Sequence, residues 1–326
     1  MPPNMKPQDW VDFIGREYLD SFLKEGGAAI KFAVPLDDQV KPLLSDRLES
    51  WALKAGYLVA NVSAADTKVH MIEQIFFRIA DQIPWQRLSE RVIVRLAEEE
   101  GYRRPPDGDT PLLLRIAEEN GLGPDFLKNE LRRHIERRVF RQRKMSKEFR
   151  VAMTQLCLAQ LTGGPEAETT VQVLTDWLTG RNTAISAVKP YQIFSRINRA
   201  NARHFFESLL RWIRFAGYTG ILVVLDIARV TVARNPKDNK LYYTKAAVLD
   251  TYEVLRQFID GTDRLRGCLI VVAPEIAFLD EDPLGRGVGV YGALKARIFD
   301  EIRDRRLVNP MASLVRLSSL PVEEPQ

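Results

Sequence analysis

Apolar residues in this chain recur at two spacings. At 8–24, Trp10, Phe13, Ile14, Tyr18, Phe22 and Leu23 repeat at helical intervals, and Gly26-Gly27 ends the run. Ile30 to Val34 then reads as a short buried strand. Leu43, Leu44, Leu48, Trp51 and Leu53 return to roughly helical spacing, with Gly56 as the stop. A second strand is predicted at 57–62. The helix after it carries Ile72, Ile75, Phe76 and Ile79 on its inner face, with Asp66 or Thr67 as its cap. Strand, helix, strand, helix predicts a mainly parallel sheet. From about 83 to 201 the pattern becomes helical throughout, with segments near 86–100, 110–119, 124–143, 146–162, 169–179 and 190–198. Breaks fall at 104–109, Gly121-Leu122-Gly123-Pro124, Gly163-Gly164-Pro165 and Gly180. Alternation of strand and helix then resumes: a helix at 201–217, an apolar run Ile221 to Asp226, helices near 243–259 and 291–306, and strands at 268–273 and 313–317. Residues 234–240 read as a mobile polar loop. The domain reading is a first α/β half at 1–84, a helical insertion at 85–200, a second α/β half at 201–320 and a frayed tail at 321–326.

The stretch between the first strand and its helix decides how the rest is read. Strand, tight loop and helix is the layout of a phosphate-binding loop, whose functional form is G-x-x-x-x-G-K-[ST]. In that register the chain reads Pro35-Leu36-Asp37-Asp38-Gln39-Val40-Lys41-Pro42, and of the signature residues Lys41 survives. Val40 puts a Cβ where a glycine lets backbone approach phosphate. Pro42 has neither a hydroxyl for Mg²⁺ nor an N–H for a phosphate oxygen, although it suits a first helical turn. Asp37 and Asp38 would repel a triphosphate. About 180 residues later the apolar strand ends in Asp226-Ile227. A nucleotide hydrolase ends that strand in Asp-Glu, the acid on the Mg²⁺ side and the glutamate polarising water. Here the second position is aliphatic. An ordinary strand–loop–helix that never held phosphate remains the competing reading of the loop alone.

Composition narrows the field. With 45% apolar and 28% charged residues, the 326-residue chain is ordinary for a globular protein, and no apolar run approaches a membrane span. The start has no hydrophobic signal core, so a cytoplasmic protein is expected. Cys157 and Cys268 read as buried thiols, and His70, His134 and His204 are too scattered for a metal site. Gly287-Val288-Gly289-Val290-Tyr291-Gly292 matches G-x-G-x-x-G formally, but the preceding strand ends too early, which favours a flexible loop over a dinucleotide site. Asp280-Glu281-Asp282 reads as a solvated acidic turn. The net charge is +4, yet residues 128–150 hold ten Lys/Arg against three acids. Leu131, Ile135 and Val139 give this basic helix a narrow docking stripe. Arg132, Arg133, Arg137, Arg138, Arg141 and Lys144 are its candidates for nucleic-acid phosphate. A solvated face with margin pairs Glu130–Arg133 and Glu136–Arg137, or an acidic protein partner, are the alternatives.

Several stretches together resemble one family. They are Leu23 to Pro35, Ala52 to Ala60, Asn198 to Ala202 with Gly217 to Asp226, and Val272 to Glu275 followed by Tyr291 to Ile298 and Val315 to Leu317. In order and spacing the chain is similar to the BREX-type ATP-binding domain proteins, the BrxD-like P-loop ATPases of bacterial phage-defence clusters. The resemblance implies an α/β fold of the P-loop, AAA+-related kind, with sheet order 5-1-4-3-2 flanked by helices and an all-helical insertion. It implies that Lys41 is the phosphate-loop lysine and Asp226 the Mg²⁺-side acid. The glycines, the Ser/Thr and the glutamate are missing at Pro35, Val40, Pro42 and Ile227. The family continues past its last strand into a helical lid, near which this sequence stops. The expectation is a catalytically inactive pseudo-ATPase with no catalytic residue, cofactor or metal. It would work as a scaffold beside another protein of the same defence cluster, with possible DNA contact through 128–150. An active or partner-completed ATPase using ATP and Mg²⁺, and a non-specific DNA-binding module, are the alternatives.

Overall fold

The computed structural model describes residues 4–37, 39–108, 110–232, 234, 242–299 and 308–319. Asp38, most of the 234–240 loop and the 321–326 tail lie outside them. The chain forms two compact units, one from Met1–Ile79 with Thr219–Gln326 and one from Ala80–Tyr218.

The first unit is built on five parallel strands: β1 (Ala28–Pro35), β2 (Tyr57–Ser63), β3 (Gly220–Asp226), β4 (Cys268–Ala273) and β5 (Leu314–Leu317). Their order is β2-β3-β4-β1-β5, and counted from the β5 edge the strands run 5-1-4-3-2. β3 and β4 are unbroken apolar runs because both faces of a parallel sheet are covered. One face packs on α1 (Pro7–Phe13), which continues as π-helix through Ile14–Phe22, and on α2 (Val40–Lys54). Trp10, Leu48, Leu222, Leu269, Val271 and Leu317 meet there in one core. Three further helices belong to this unit: α3 (Ile72–Ala80), α12 (Lys245–Asp260) and α13 (Gly292–Ile298), with a short turn α11 (Ala228–Thr231) after β3. α3 starts at Ile72, later than a cap at Asp66 or Thr67 requires. The chain between is held in turns, and the Tyr243 hydroxyl donates to the Thr67 carbonyl at 2.9 Å.

The second unit is helical: α4 (Trp85–Glu99), α5 (Leu112–Asn120), α6 (Pro124–Ile135), α7 (Lys147–Thr162), α8 (Pro165–Leu178), α9 (Ile185–Val188) and α10 (Ala202–Phe215). It contains no strand among its described residues. Two boundaries differ from expectation. A division at 200 gives α10 to the sheet, but Phe205 of α10 packs edge-on against Phe149 and Trp177, so the helical unit runs to Tyr218. A helix at 190–198 does not form. Gln192 has a left-handed φ of 62°, just after Pro190, and residues 193–198 are irregular.

Candidate functional site

Parallel α/β sheets place ligand clefts at the carboxyl ends of their strands. A cleft of about 360 Å³ lies there, between the ends of β2, β3 and β4 and the first turn of α2. Lys41, Pro42, Ser63, Arg78 and Asp226 are among the residues that line it. The structure therefore brings together Lys41 and Asp226, which lie far apart in sequence.

What surrounds these two groups fixes their chemistry. The Lys41 ammonium contacts the Glu275 carboxylate directly and stands 3.9 Å from Asp226 Oδ1. Asp226 also accepts from the Ser63 hydroxyl at 3.2 Å and from the Ala228 N–H at 2.9 Å. Glu275 was not among the sequence candidates. It sits two residues beyond β4, and only the position of β4 between β1 and β3 delivers it to Lys41. Arg78, the other cation of the cleft, pairs with Asp66 at 3.4 Å. Both cations thus already face carboxylates, and three acids surround two bases.

The described residues of the connection, Leu36, Asp37 and Gln39, are similarly occupied. A phosphate loop offers free backbone N–H groups. Here Leu36 N–H donates to the Leu317 carbonyl at 2.8 Å, Gln39 N–H to the Asp37 carboxylate at 3.2 Å and Val40 N–H to the Asp37 carbonyl at 3.3 Å. Asp37 does not point at an anion site as expected. It accepts from the Ser319 N–H at 2.8 Å, the Ser319 hydroxyl at 2.9 Å and the Ser318 hydroxyl at 3.2 Å. Burial pushes its carboxyl up, but these bonds and that from Gln39 prevail and hold it below the ordinary carboxylate value. Val40 does not project into the loop either, because it opens α2 with its side chain fully buried beside Leu44 and Leu48. Pro35 ends β1, Pro42 lies in the first turn of α2, and Ile227 is buried completely. A buried hydrocarbon at the position of Ile227 can neither orient nor deprotonate water.

The formal G-x-G-x-x-G run does not form a nucleotide turn. A Cβ on Gly289 would stand 2.2 Å from Glu281 backbone, so this glycine lets two parts of one loop touch. That loop is tied down and not free: the Tyr252 hydroxyl donates to the Arg286 carbonyl at 2.6 Å, and Arg286 donates to the Tyr243 carbonyl at 2.9 Å. The following helix, expected to run to 306, ends at Ile298, where Phe299 turns extended, and 300–307 lie outside the described residues. In the acidic turn, Glu281 pairs with Lys295 at 2.7 Å. No cluster of three or more metal-ligating side chains occurs among the described residues, and none of their helices is long and apolar enough to cross a membrane. Cys157 and Cys268 are free and buried, and burial pushes both thiols up.

The basic segment is not one helix. α6 gives way to a π-helical turn at Glu136–Phe140, then to turns at 141–146, before α7 begins. Leu131, Ile135 and Val139 are fully buried, as their stripe predicts. Arg132, Arg133, Arg137, Arg138, Arg141 and Lys144 are all exposed. Their partners differ from the margin pairs expected. Glu130 takes the Tyr102 hydroxyl, Glu136 pairs with Arg132 at 3.3 Å, and Arg138 reaches Glu99 at 2.9 Å.

In a comparison with known families, the family model of the BREX system ATP-binding protein BrxC/D matches residues 115–325. The matched segment includes Asp226, Ile227 and Glu275 and begins after Lys41. Comparison with curated proteins and with solved structures gives no match.

Proposed function

The chain belongs to the BREX system ATP-binding protein BrxC/D family, and from that premise we propose that it is a member whose nucleotide site is closed by its own side chains. In this reading it is a pseudo-ATPase with a P-loop-type core. It serves in the cytoplasm as a scaffold or partner-binding component of a phage-defence system, beside an active ATPase or effector of the same cluster. The strand order, with β1 between β4 and β5 and the loop leading into α2, supports the P-loop-type core.

The observation that carries the proposal is Lys41 held between Glu275 and Asp226. For Lys41 to serve a β- or γ-phosphate it must leave both carboxylates, which then stand unpaired beside a polyanion. Each half-exposed pair is worth roughly 0–1 kcal/mol, but abandoning both adds like-charge repulsion to the cost. The loop offers little in return, since its Leu36, Gln39 and Val40 N–H groups are already donated within the protein. Isothermal titration with ATP and Mg²⁺ is expected to show no binding, or weak binding unchanged in Lys41→Ala. Tight binding abolished by Lys41→Ala would reject the proposal.

The cleft itself favours a second reading. Its volume of about 360 Å³ falls in the range of small-molecule sites. A nucleotide site completed by a partner subunit that draws off Glu275 would use that space. Phosphate release that appears only with the partner and vanishes in Lys41→Ala selects this reading.

A further inference from the structure

The helical unit carries a second charged surface, and its cations are arranged in the opposite way. Arg137, Arg141, Arg143 and Lys144 are exposed and form no ion pair among the described residues. Arg133 donates only to the Asn129 carbonyl, at 3.3 Å, which leaves its charge uncompensated. Within 133–144 the single acid is Glu136, and Arg132 claims it at 3.3 Å. Buried Leu131, Ile135 and Val139 anchor the stretch, so the cations stand on a fixed backbone.

Self-repulsion among five neighbouring cations disfavours the isolated fold. An external polyanion would relieve it. Four of the five are arginines, whose planar fork suits phosphate oxygens. The five cations sit on a helix and the turn that follows it, and phosphate contacts from such elements fix a protein on the nucleic-acid backbone without reading bases.

We infer that the strip Arg133–Arg137–Arg141–Arg143–Lys144 is a docking surface for the phosphate backbone of double-stranded DNA, without sequence preference. The inference concerns the helical unit alone and stands whether or not the cleft takes nucleotide. Paired Arg132 and Arg138 contribute less, because a phosphate must displace Glu136 or Glu99 before it meets them.

The test is fluorescence anisotropy of the whole protein with a labelled 30-base-pair duplex. Each phosphate contact contributes about 0.9 to the slope of log affinity against log salt. Five contacts predict a slope near −4.5, hence a loss of roughly 500-fold between 50 and 200 mM salt. Alanine at Arg137, Arg141 or Arg143 lowers the slope by about 0.9 each, whereas alanine at Arg132 or Arg138 lowers it by less than half as much. Arg143→Gln and Lys144→Gln lie outside any helix and serve if the helical variants unfold. No binding at 50 mM salt, a slope shallower than −1, or equal effects at paired and unpaired positions would overturn the inference. So would equal affinity for a single-stranded oligonucleotide, or preference for poly-glutamate over the duplex, which would mark an acidic protein as the partner.

Discussion

Lysines and arginines do different work in the two units. Around the cleft of the α/β unit, Lys41 and Arg78 each face a carboxylate supplied by another element. On the helical unit, Arg137, Arg141, Arg143 and Lys144 face none among the described residues. A charge count ranks the segment 128–150 first and overlooks the cleft. The pairing says why one region is spent internally while the other leaves its charge to the solvent. Function in a cationic region follows from what compensates the charge, not from how much charge is present.

Lys31 is the extreme case of an internal cation and carries the largest expected effect. It is almost fully buried in β1 and donates to the Met311 and Ala312 carbonyls at 2.5 and 3.3 Å, with its ammonium 4.7 Å from the Tyr18 ring centroid. Burial pulls its ammonium from 10.5 down to about 8. Below about 8 both folded and unfolded chains hold the proton, and the folded one bears a buried charge. Between about 8 and 10.5 the unfolded chain keeps the proton that the folded one releases, so stability rises with pH. Urea unfolding is expected to gain about 2 kcal/mol from pH 8 to about pH 10, the slope approaching 1.36 kcal/mol per pH unit between the two values. Lys31→Met flattens that rise. An unchanged rise in Lys31→Met assigns it to another group and weakens the contrast between the units.

Asp37 comes next. Its carboxylate fastens the loop to the chain beyond β5 through Ser318 and Ser319. Asp37→Ala is expected to cost about 1–2 kcal/mol, since hydrogen bonds to charged groups exceed neutral ones. Because its folded value lies below 3.8, this contribution is present above that value and fades as pH falls through the depressed folded value. A pH titration of unfolding checks both statements, and an acid limb identical in Asp37→Ala contradicts the second.

These cases show where the sequence was legible. β3 and β4 stand out because a strand buried on both faces is an apolar run. Asp226 stands out because it ends one. Glu275 does not, because its role depends on β4 lying beside β1, a contact across more than 230 residues. Ser318 and Ser319 are hidden for the same reason, since β5 must pair with β1 before they reach Asp37. α10 is an evident amphipathic helix, but amphipathicity does not name the unit it packs against, and only Phe149 and Trp177 decide that. Residues 190–198 have helical spacing, but their backbone holds only the end of a 3-10 turn, Lys189–Tyr191, which the left-handed Gln192 terminates.

The two regions can also be compared by deleting one cation from each. Lys41→Met leaves Glu275 and Asp226 facing each other without a cation, and is expected to cost up to about 1 kcal/mol, the upper end for a half-exposed ion pair. Glu275→Gln in the same background should recover part of that loss by relieving the repulsion, and a double-mutant cycle in urea measures the coupling. If Lys41→Met is neutral and the cycle additive, the clamp contributes nothing and the closed-site reading loses its energetic basis.

On the helical unit the sign should reverse. Arg137 has no carboxylate partner among the described residues, while Arg133 lies four residues before it in the helix and Arg141 four residues after it, at the end of the π-helical turn. Removing it relieves like-charge contacts worth about 0.2–0.5 kcal/mol each, so Arg137→Gln should stabilise the free protein slightly. The gain should shrink as salt is raised from 50 mM to 1 M, because the Debye length falls to about 3 Å and the repulsion is already screened. Added duplex should invert the order, stabilising the wild type more than Arg137→Gln, since a ligand of the folded state adds stability in proportion to its affinity. Thermal melts at two salt concentrations, with and without duplex, read all three effects. A loss of stability on Arg137→Gln in low salt would mean that this guanidinium is already compensated within the chain, and the division between inward and outward cations would fail at its clearest member.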